Sequence, residues 1–390
     1  MSGYHKRNTE PFPVNKLKRV DRPTTIIEDD KVQRVKQNDS GFNKAARGDY
    51  GPTLQKGGDK GRSSGPYPLE GAQLRMTGMM RAFVDGVVAQ QKAPIPENPQ
   101  ILSKHIKETA YFLRADAVGI CKLPSYAIYS DNVDSNGMPV ELNHKYAIAV
   151  LIDQDWRTAD AFTGHDWISN SMSMLGYSNS GFIAVILADY IRRLGYPARA
   201  HYSSNYQVVL PPILLWAGLG EMSRIGDCVV NPFLGPRFKA AVVTTDLPLF
   251  PDKPIDFGLQ DFCSKCKKCA RECPSGALSD GGKEMHNGYE KWPVNVEQCT
   301  KMRVGNRKGS GCGTCIKVCP WNKPYTPLHR VVGWTMRNSS IARSIAIHGD
   351  DLLGYGKPDY SKKWWFDLAD VNGDGVLQIP GKDKNDTSGL

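Results

Sequence analysis

Eight cysteines carry a spacing that implies chemistry by itself. They stand at positions 263, 266, 269, 273, 299, 312, 315 and 319, within 57 residues, after 262 residues that hold only Cys121 and Cys228. Cys263-x2-Cys266-x2-Cys269-x3-Cys273-Pro274 is the ligand run of bacterial two-cluster iron–sulfur modules. Three thiolates two residues apart wrap one corner of a cubane, and the fourth, just before proline, crosses to the other. Cys299, followed by Cys312-x2-Cys315-x3-Cys319-Pro320, repeats the motif after a loop over 300–311. The spacing predicts one [4Fe–4S] cluster on Cys263, Cys266, Cys269 and Cys319, and a second on Cys299, Cys312, Cys315 and Cys273. Disulfides suit short secreted chains and need no x2 spacing. Zinc ribbons lack the third cysteine and the proline. Cys121 and Cys228 lie in apolar settings and read as core.

Elements outside this module must position the clusters. The 390 residues allow two or three domains, with 40% hydrophobic and 23% charged residues and a mean hydropathy of −0.42. That excludes collagen, a disordered chain and a small disulfide scaffold. No run of 18 apolar residues exists, so no membrane-spanning helix is expected. Residues 1–67 hold fourteen Lys/Arg against eight Asp/Glu, which is +6 of the net +10. They read as an extended, solvated basic arm.

Regular structure is expected from about residue 71. Helices are predicted over 74–91, 104–113 and 174–194, the last stopped by Gly195, and a short one over 212–218. Buried strands are predicted over 117–123 and 146–152, with further strands over 197–202 and 240–244. Strands separated by helices indicate an α/β sandwich. The cluster module spans 262–324, and the tail from Val331, with Trp334, Trp364 and Trp365, is expected to close over the core. Asp370-Val-Asn372-Gly-Asp374-Gly375 copies half of a calcium loop, but Gly381 stands where a bidentate Glu is required, so an Asn/Asp-Gly turn is expected.

Along nearly its whole length the chain resembles the corrinoid-dependent reductive dehalogenases, relatives of epoxyqueuosine reductase. The resemblance rests on "VNKLKRVDRPTT", "LRADAVGICKL", "YIRRLGYPARAHYSSN", "AGLGEMSRIG", "VVTTDLPL" and "KKWWFDL". It implies a nitroreductase-like α+β sandwich that binds cobalamin, with an inserted two-cluster ferredoxin-like module. The expected domains are an arm over 1–70, a cobalamin-binding catalytic domain over 71–260, the 2×[4Fe–4S] module over 261–325 and a C-terminal segment over 326–390. The corrinoid would be base-off, and no histidine sits in D-x-H-x-x-G.

The implied reaction replaces carbon–halogen by carbon–hydrogen in an organohalide, using cob(I)alamin fed by the two clusters. It consumes two electrons and a proton. In the family a tyrosine supplies the proton, beside a basic residue and often an asparagine. The matching residues are Tyr177 in "MLGYSNSG", Arg237 in "LGPRFK" and Asn205 in "SSNY", with Tyr190 or Tyr202 as rival donors and Arg224 as the rival cation. Trp156, Phe162, Trp167 and Trp334 are candidates to line an apolar pocket. Expected partners are the organohalide, an external electron donor (ferredoxin, flavodoxin or quinol-linked) and, in respiratory members, a small membrane anchor; nucleic acid is not expected. No twin-arginine signal is visible, which implies a cytoplasmic protein or one exported with the signal removed. Two other readings stand beside this one: an epoxyqueuosine reductase acting on tRNA, and an iron–sulfur electron-transfer protein without corrinoid.

Overall fold

The computed structural model describes residues 11–57, 69–133, 137–164, 168–203, 205–305 and 311–363, and the backbone of two short strands, Ala369–Asp370 and Leu377–Gln378. Trp167, Trp364, Trp365 and the turn expected over 372–381 lie outside or largely outside these residues.

Four strands form the centre: β1 (Ala117–Lys122), β2 (Tyr146–Asp153), β3 (Ala198–His201) and β4 (Phe238–Thr245). Their order is β1-β2-β4-β3 and every neighbouring pair is antiparallel. The fold is therefore an α+β sandwich, although helices and strands alternate in sequence. Ile148, Val150 and Ile152 of β2 face one core, and Ala147, Ala149 and Leu151 face the other. Side chains alternate along a strand, so one covered on both faces must be apolar at every position.

Helices α1 (Leu69–Met79), α2 (Pro99–Phe112) and α3 (Ile168–Arg193) lie on the first side, where Leu102, Ile106, Ile183, Leu187 and Ile191 meet the sheet. Helix α4 (Leu210–Trp216) covers the other with Ile213, Leu214 and Leu215. Asn98 caps α2 by accepting from Gln100 N at 2.9 Å, with Pro99 in the first turn, so this helix begins earlier than predicted. Helix α3 also begins earlier, because Ile168 and Met172 bury against Ala159 and Phe162. By length and composition α3 could cross a membrane, yet more than half of it is buried in this core.

The helix expected over 74–91 stops at Met79 and passes into a 3-10 turn, Met80–Phe83. Arg192 donates to the carbonyls of Phe83 and Val84 at 3.3 and 3.2 Å, and Ala200 N takes the Val84 carbonyl at 3.0 Å. Those carbonyls are engaged outside any helix. Met76, Met79, Phe83 and Val87 consequently face solvent rather than a core.

The described part of the basic arm is wound onto the protein, with charged side chains such as Lys18, Arg22 and Lys31 exposed. Leu17 and Ile27 are buried, Phe12 stacks on Phe233 at 5.2 Å, and Arg19 donates to Lys253 O at 2.8 Å. Lys18 and Arg22 pair with Asp256 and Asp29. Apolar residues spaced between the charges supply the adhesion.

The cluster module consists of α5 (Leu259–Lys265), α6 (Lys268–Arg271), α7 (Val296–Gly305) and α8 (Thr314–Lys317), with a hairpin of Glu284–His286 and Tyr289–Lys291. Half of the loop expected over 300–311 is helix α7, whose start is held by Asn295: its Oδ1 accepts from Gln298 N at 3.0 Å. Next come α9 (Pro327–Asn338) and α10 (Ser340–Leu352). Trp334 is 59% exposed and does not close over the core. With Leu328, Val331, Ile345, Trp321 and Tyr325 it lines a cleft of about 940 Å³, to which Trp156 and Phe162 contribute nothing.

Candidate functional site

Cys263, Cys266 and Cys319 share one buried apolar cluster, and Cys269, Cys273 and Cys315 another. Cys263 lies on α5, Cys266 at its C-cap, Cys269 on α6 and Cys319 just beyond α8. Burial raises Cys319 well above the ordinary thiol range, and nearby Cys263, Cys266 and Cys269 add to it. Burial likewise pushes Cys269 up to about 12, with Cys266 adding. In the second predicted set, burial raises Cys299, and Cys312 and Cys273 reinforce it while Arg303 opposes. Cys315 is raised by burial and then by Cys312, Cys228, Cys269 and Cys299. Cys273 stands apart: hydrogen bonds from Ser275 and from the backbone N–H groups of Ser275, Ala277 and Leu278 outweigh its burial and lower it.

Among the described residues no three His, Cys, Asp or Glu side chains are grouped to hold a single metal ion. A tetrahedral ion needs all its sulfurs at roughly 2.3 Å from one centre. A cubane spreads its thiolates over the irons of a larger body, and eight thiols on these spacings fit two such clusters.

Tyr177 sits on α3, half-buried, with Lys239 Nζ 4.9 Å from its ring centroid. Gly176 makes this approach feasible: a Cβ there would come within 2.8 Å of Lys239 Cγ. Lys239 also opposes the burial that pushes the Cys228 thiol up to about 11, and Cys228 in turn neighbours Cys315. The loop carrying the second thiol set presses on the start of α3, where a Cβ at Gly311, whose φ is +84°, would stand 2.3 Å from Asn170 Oδ1. Gln154, just after β2, donates through Nε2 to Ser173, one turn before Tyr177, at 3.5 Å, and its Oε1 is buried with no hydrogen-bond partner among the described residues.

Arg237 is not the cation on Tyr177. Its Nε and one terminal nitrogen donate to the two Asp153 carboxylate oxygens at 2.8 and 3.3 Å. The other terminal nitrogen donates to Asn322 Oδ1 at 3.1 Å and Lys323 O at 3.0 Å. The side chain is 3% exposed and ties β2 to the segment after Cys319. Burial pushes the Asp153 carboxyl up, and Arg237 pulls against it.

Asn205 Oδ1 accepts from Arg199 at 2.8 Å, and its carbonyl accepts from the same guanidinium at 3.3 Å. A guanidinium only donates, so the amide oxygen faces it and Nδ2 remains a donor. Arg199 also reaches His201 Nδ1 at 3.0 Å, and Gln207 N donates to the same atom at 3.1 Å. Tyr206, next to Asn205, donates to Ala240 O at 2.9 Å and is raised well above the phenol range by burial and then by Tyr177. The rival tyrosines are engaged elsewhere: Tyr202 donates to Thr77 O at 2.9 Å, and the Tyr190 hydroxyl meets His105 Nε2 at 2.8 Å. Arg224 lies at Cys263.

Sequence reasoning missed Lys239, Tyr206 and Arg199. Lys239 stands two residues after Arg237, within the quoted "LGPRFK", and one-dimensional spacing does not say which cation turns to the tyrosine.

Residues 262–322 match the family of 4Fe-4S double cluster binding domains. The tetrachloroethene reductive dehalogenase of Sulfurospirillum multivorans is 29% identical over 310 residues, 70% of this chain and 61% of that protein. That of Desulfitobacterium hafniense is 35% identical over 225 residues, 55% of this chain and 39% of the relative. The solved catabolic reductive dehalogenase NpRdhA superposes with a TM-score of 0.87 at 41% identity, over 95% of this chain and 53% of its own. It has also been solved with 3-bromo-4-hydroxybenzoic acid. A reductive dehalogenase structure with the same TM-score and identity suggests a mechanism for B12-dependent dehalogenation. The epoxyqueuosine reductase of Bacillus subtilis is 31% identical over 122 residues, 27% of this chain. The chain spans between about two fifths and three fifths of the length of the reductive dehalogenases compared here. In sequence and fold the chain is similar to the reductive dehalogenases, and more distantly in sequence to epoxyqueuosine reductase.

Proposed function

We propose that this protein is an oxidoreductase that replaces carbon–halogen by carbon–hydrogen in an organohalide, with a corrinoid and two [4Fe–4S] clusters as cofactors. The reading is supported by the similarity to reductive dehalogenases and, within the chain, by the Lys239 ammonium held 4.9 Å from the Tyr177 ring centroid, a cation beside a phenol. Two electrons and one proton enter, and halide leaves. A bound corrinoid would supply the two-electron reduction of the carbon–halogen bond.

The chain's own residues do the rest. Tyr177 gives its hydroxyl proton to the carbon that loses halogen. Lys239 stabilises the phenolate left behind, the part first expected of Arg237. Asn205, oriented by Arg199, offers its Nδ2 hydrogens to an acceptor on the substrate. The orphaned Gln154 Oε1 is a candidate contact for the corrinoid or the substrate. Cys263, Cys266, Cys269 and Cys319 hold the outer cluster, and Cys273, Cys299, Cys312 and Cys315 the inner one, because the latter set borders Cys228 and α3. An external donor (ferredoxin, flavodoxin or quinol-linked) loads the outer cluster.

Anaerobic expression with cobalamin, followed by cobalt and iron analysis, tests the cofactors: about one cobalt and eight iron per chain are expected. Tyr177→Phe is expected to retain both and to lose turnover of halogenated phenols and alkenes by roughly 10²–10⁴-fold. Eight iron without cobalt would make the protein an electron carrier, and full turnover of the phenylalanine variant would remove Tyr177 as donor.

A further inference from the structure

Arg224 is 1% exposed, among the largest side chains sealed inside the protein. Its Nε donates to Cys263 O at 2.9 Å, and one terminal nitrogen donates to Ser279 O at 3.0 Å and Gly281 O at 2.8 Å. The guanidinium lies over the Trp292 ring, 4.9 Å from its centroid. Neutral carbonyls and an aromatic face satisfy its hydrogen bonds and leave its charge unmatched.

Four other buried cations are treated differently. Arg192 meets Asp189, Arg199 meets Asp85, Arg237 meets Asp153, and Lys268 meets Asp350 and Asp351, each within ion-pair distance. Arg224 has no carboxylate at that distance among the described residues. A buried charge without a counter-ion costs several kcal/mol, so a fold that keeps one implies an anion nearby. The group nearest to it that would carry negative charge is one of the two thiol sets: Arg224 holds the backbone carbonyl of Cys263, the first cysteine of that set.

We propose that Arg224 is the built-in counter-charge of the cluster held by Cys263, Cys266, Cys269 and Cys319, and that it raises that cluster's reduction potential. The inference rests on the cluster assignment proposed above. Four thiolates outweigh the charge of the iron–sulfide core, and reduction adds one electron to an already anionic group. A fixed cation in a dry site stabilises the reduced form more than the oxidised form. Arg224 is thus a positioning residue for charge, which helps the outer cluster accept its electron from the donor.

The test is a redox titration of the anaerobic holoprotein followed by electron paramagnetic resonance, with iron analysis of each variant. Arg224→Met is expected to lower one of the two midpoint potentials and leave the other in place, and Arg224→Lys to stay near the wild-type value. If Arg224→Met loses iron, Arg224→Gln carries the same test, since it keeps donors for the carbonyls without charge. Loss of iron from both neutral variants with full iron in the lysine variant supports the proposal in a stronger form. The proposal fails if a loaded neutral variant keeps both potentials, or if Arg224→Lys shifts or loses the cluster as the neutral variants do. A wild-type protein that cannot hold eight irons refutes the cluster reading itself, whatever Arg224 does.

Discussion

The two cations of "LGPRFK" give opposite expectations when each is neutralised. Lys239→Met removes an ammonium 4.9 Å from the Tyr177 ring. At about 5 Å and an effective dielectric near 20, a full charge pair is worth about 3.3 kcal/mol. That is about 250-fold in rate if the attraction develops fully as the phenol becomes phenolate. The side chain is half-buried and makes no ion pair among the described residues, so stability should change by less than about 1 kcal/mol. Arg237→Leu strands the Asp153 carboxylate and frees Asn322 and Lys323 from β2. Breaking such a buried pair costs about 3–5 kcal/mol, a large share of a typical domain's stability. Proteins with tightly bound cofactors depart from two-state unfolding, so iron retention and limited proteolysis of the segment after Cys319 report the damage better than one unfolding midpoint. Turnover, iron content and protease resistance of both variants therefore form one assay. A fully loaded Lys239→Met protein with wild-type turnover, beside an intact but inactive Arg237→Leu protein, would refute the assignment and return the role to Arg237.

Gly176→Ala is expected to gain helix propensity, up to about 1 kcal/mol, yet to lower turnover by displacing the Lys239 stem from Tyr177; steady-state kinetics and thermal unfolding together check this split. Burial, with Arg199 and His144 adding, holds His201 well below the ordinary imidazole range, so the native state resists protonation that the unfolded chain accepts below about pH 6.5. Stability is then full above that pH and falls below it by up to about 1.4 kcal/mol per unit, and His201→Gln should flatten this slope in urea titrations across the same range. Glu221 accepts from Phe257 N at 2.7 Å, Leu259 N at 3.3 Å and the Thr24 hydroxyl at 2.6 Å, which joins the arm to the start of the helix carrying Cys263. Glu221→Ala should cost about 1–3 kcal/mol and expose the arm to protease, with Glu221→Gln milder; an arm as resistant as wild type would contradict that role.

Much of the architecture was legible because it is local. Continuous apolar runs marked β1 and β2, since strands covered on both faces admit no polar alternation. The alternation of helices and strands suggested layers but not strand direction, and the sheet is antiparallel because its pairing is decided by long connections. The run over 74–91 has helical periodicity, yet Arg192 and Ala200, more than a hundred residues away, take carbonyls of Phe83 and Val84. Periodicity says nothing about such competitors. The arm's charge suggested solvation because composition does not reveal that its few apolar residues find buried places.

The same division runs through the site. By itself the sequence determined the ligand type and the double-cluster module, because x2 and x3 spacings constrain a short backbone so tightly that four thiols can meet in few ways. Which of two cations two residues apart reaches Tyr177, and which buried arginine lacks a carboxylate, was decided only in three dimensions. Lys239, Arg237 and Arg224 are alike in charge and differ in what surrounds them: a tyrosine ring, an aspartate, and three carbonyls with a tryptophan face. Those surroundings come from segments far apart in the chain, and only their packing sets the distances on which electrostatic energy depends.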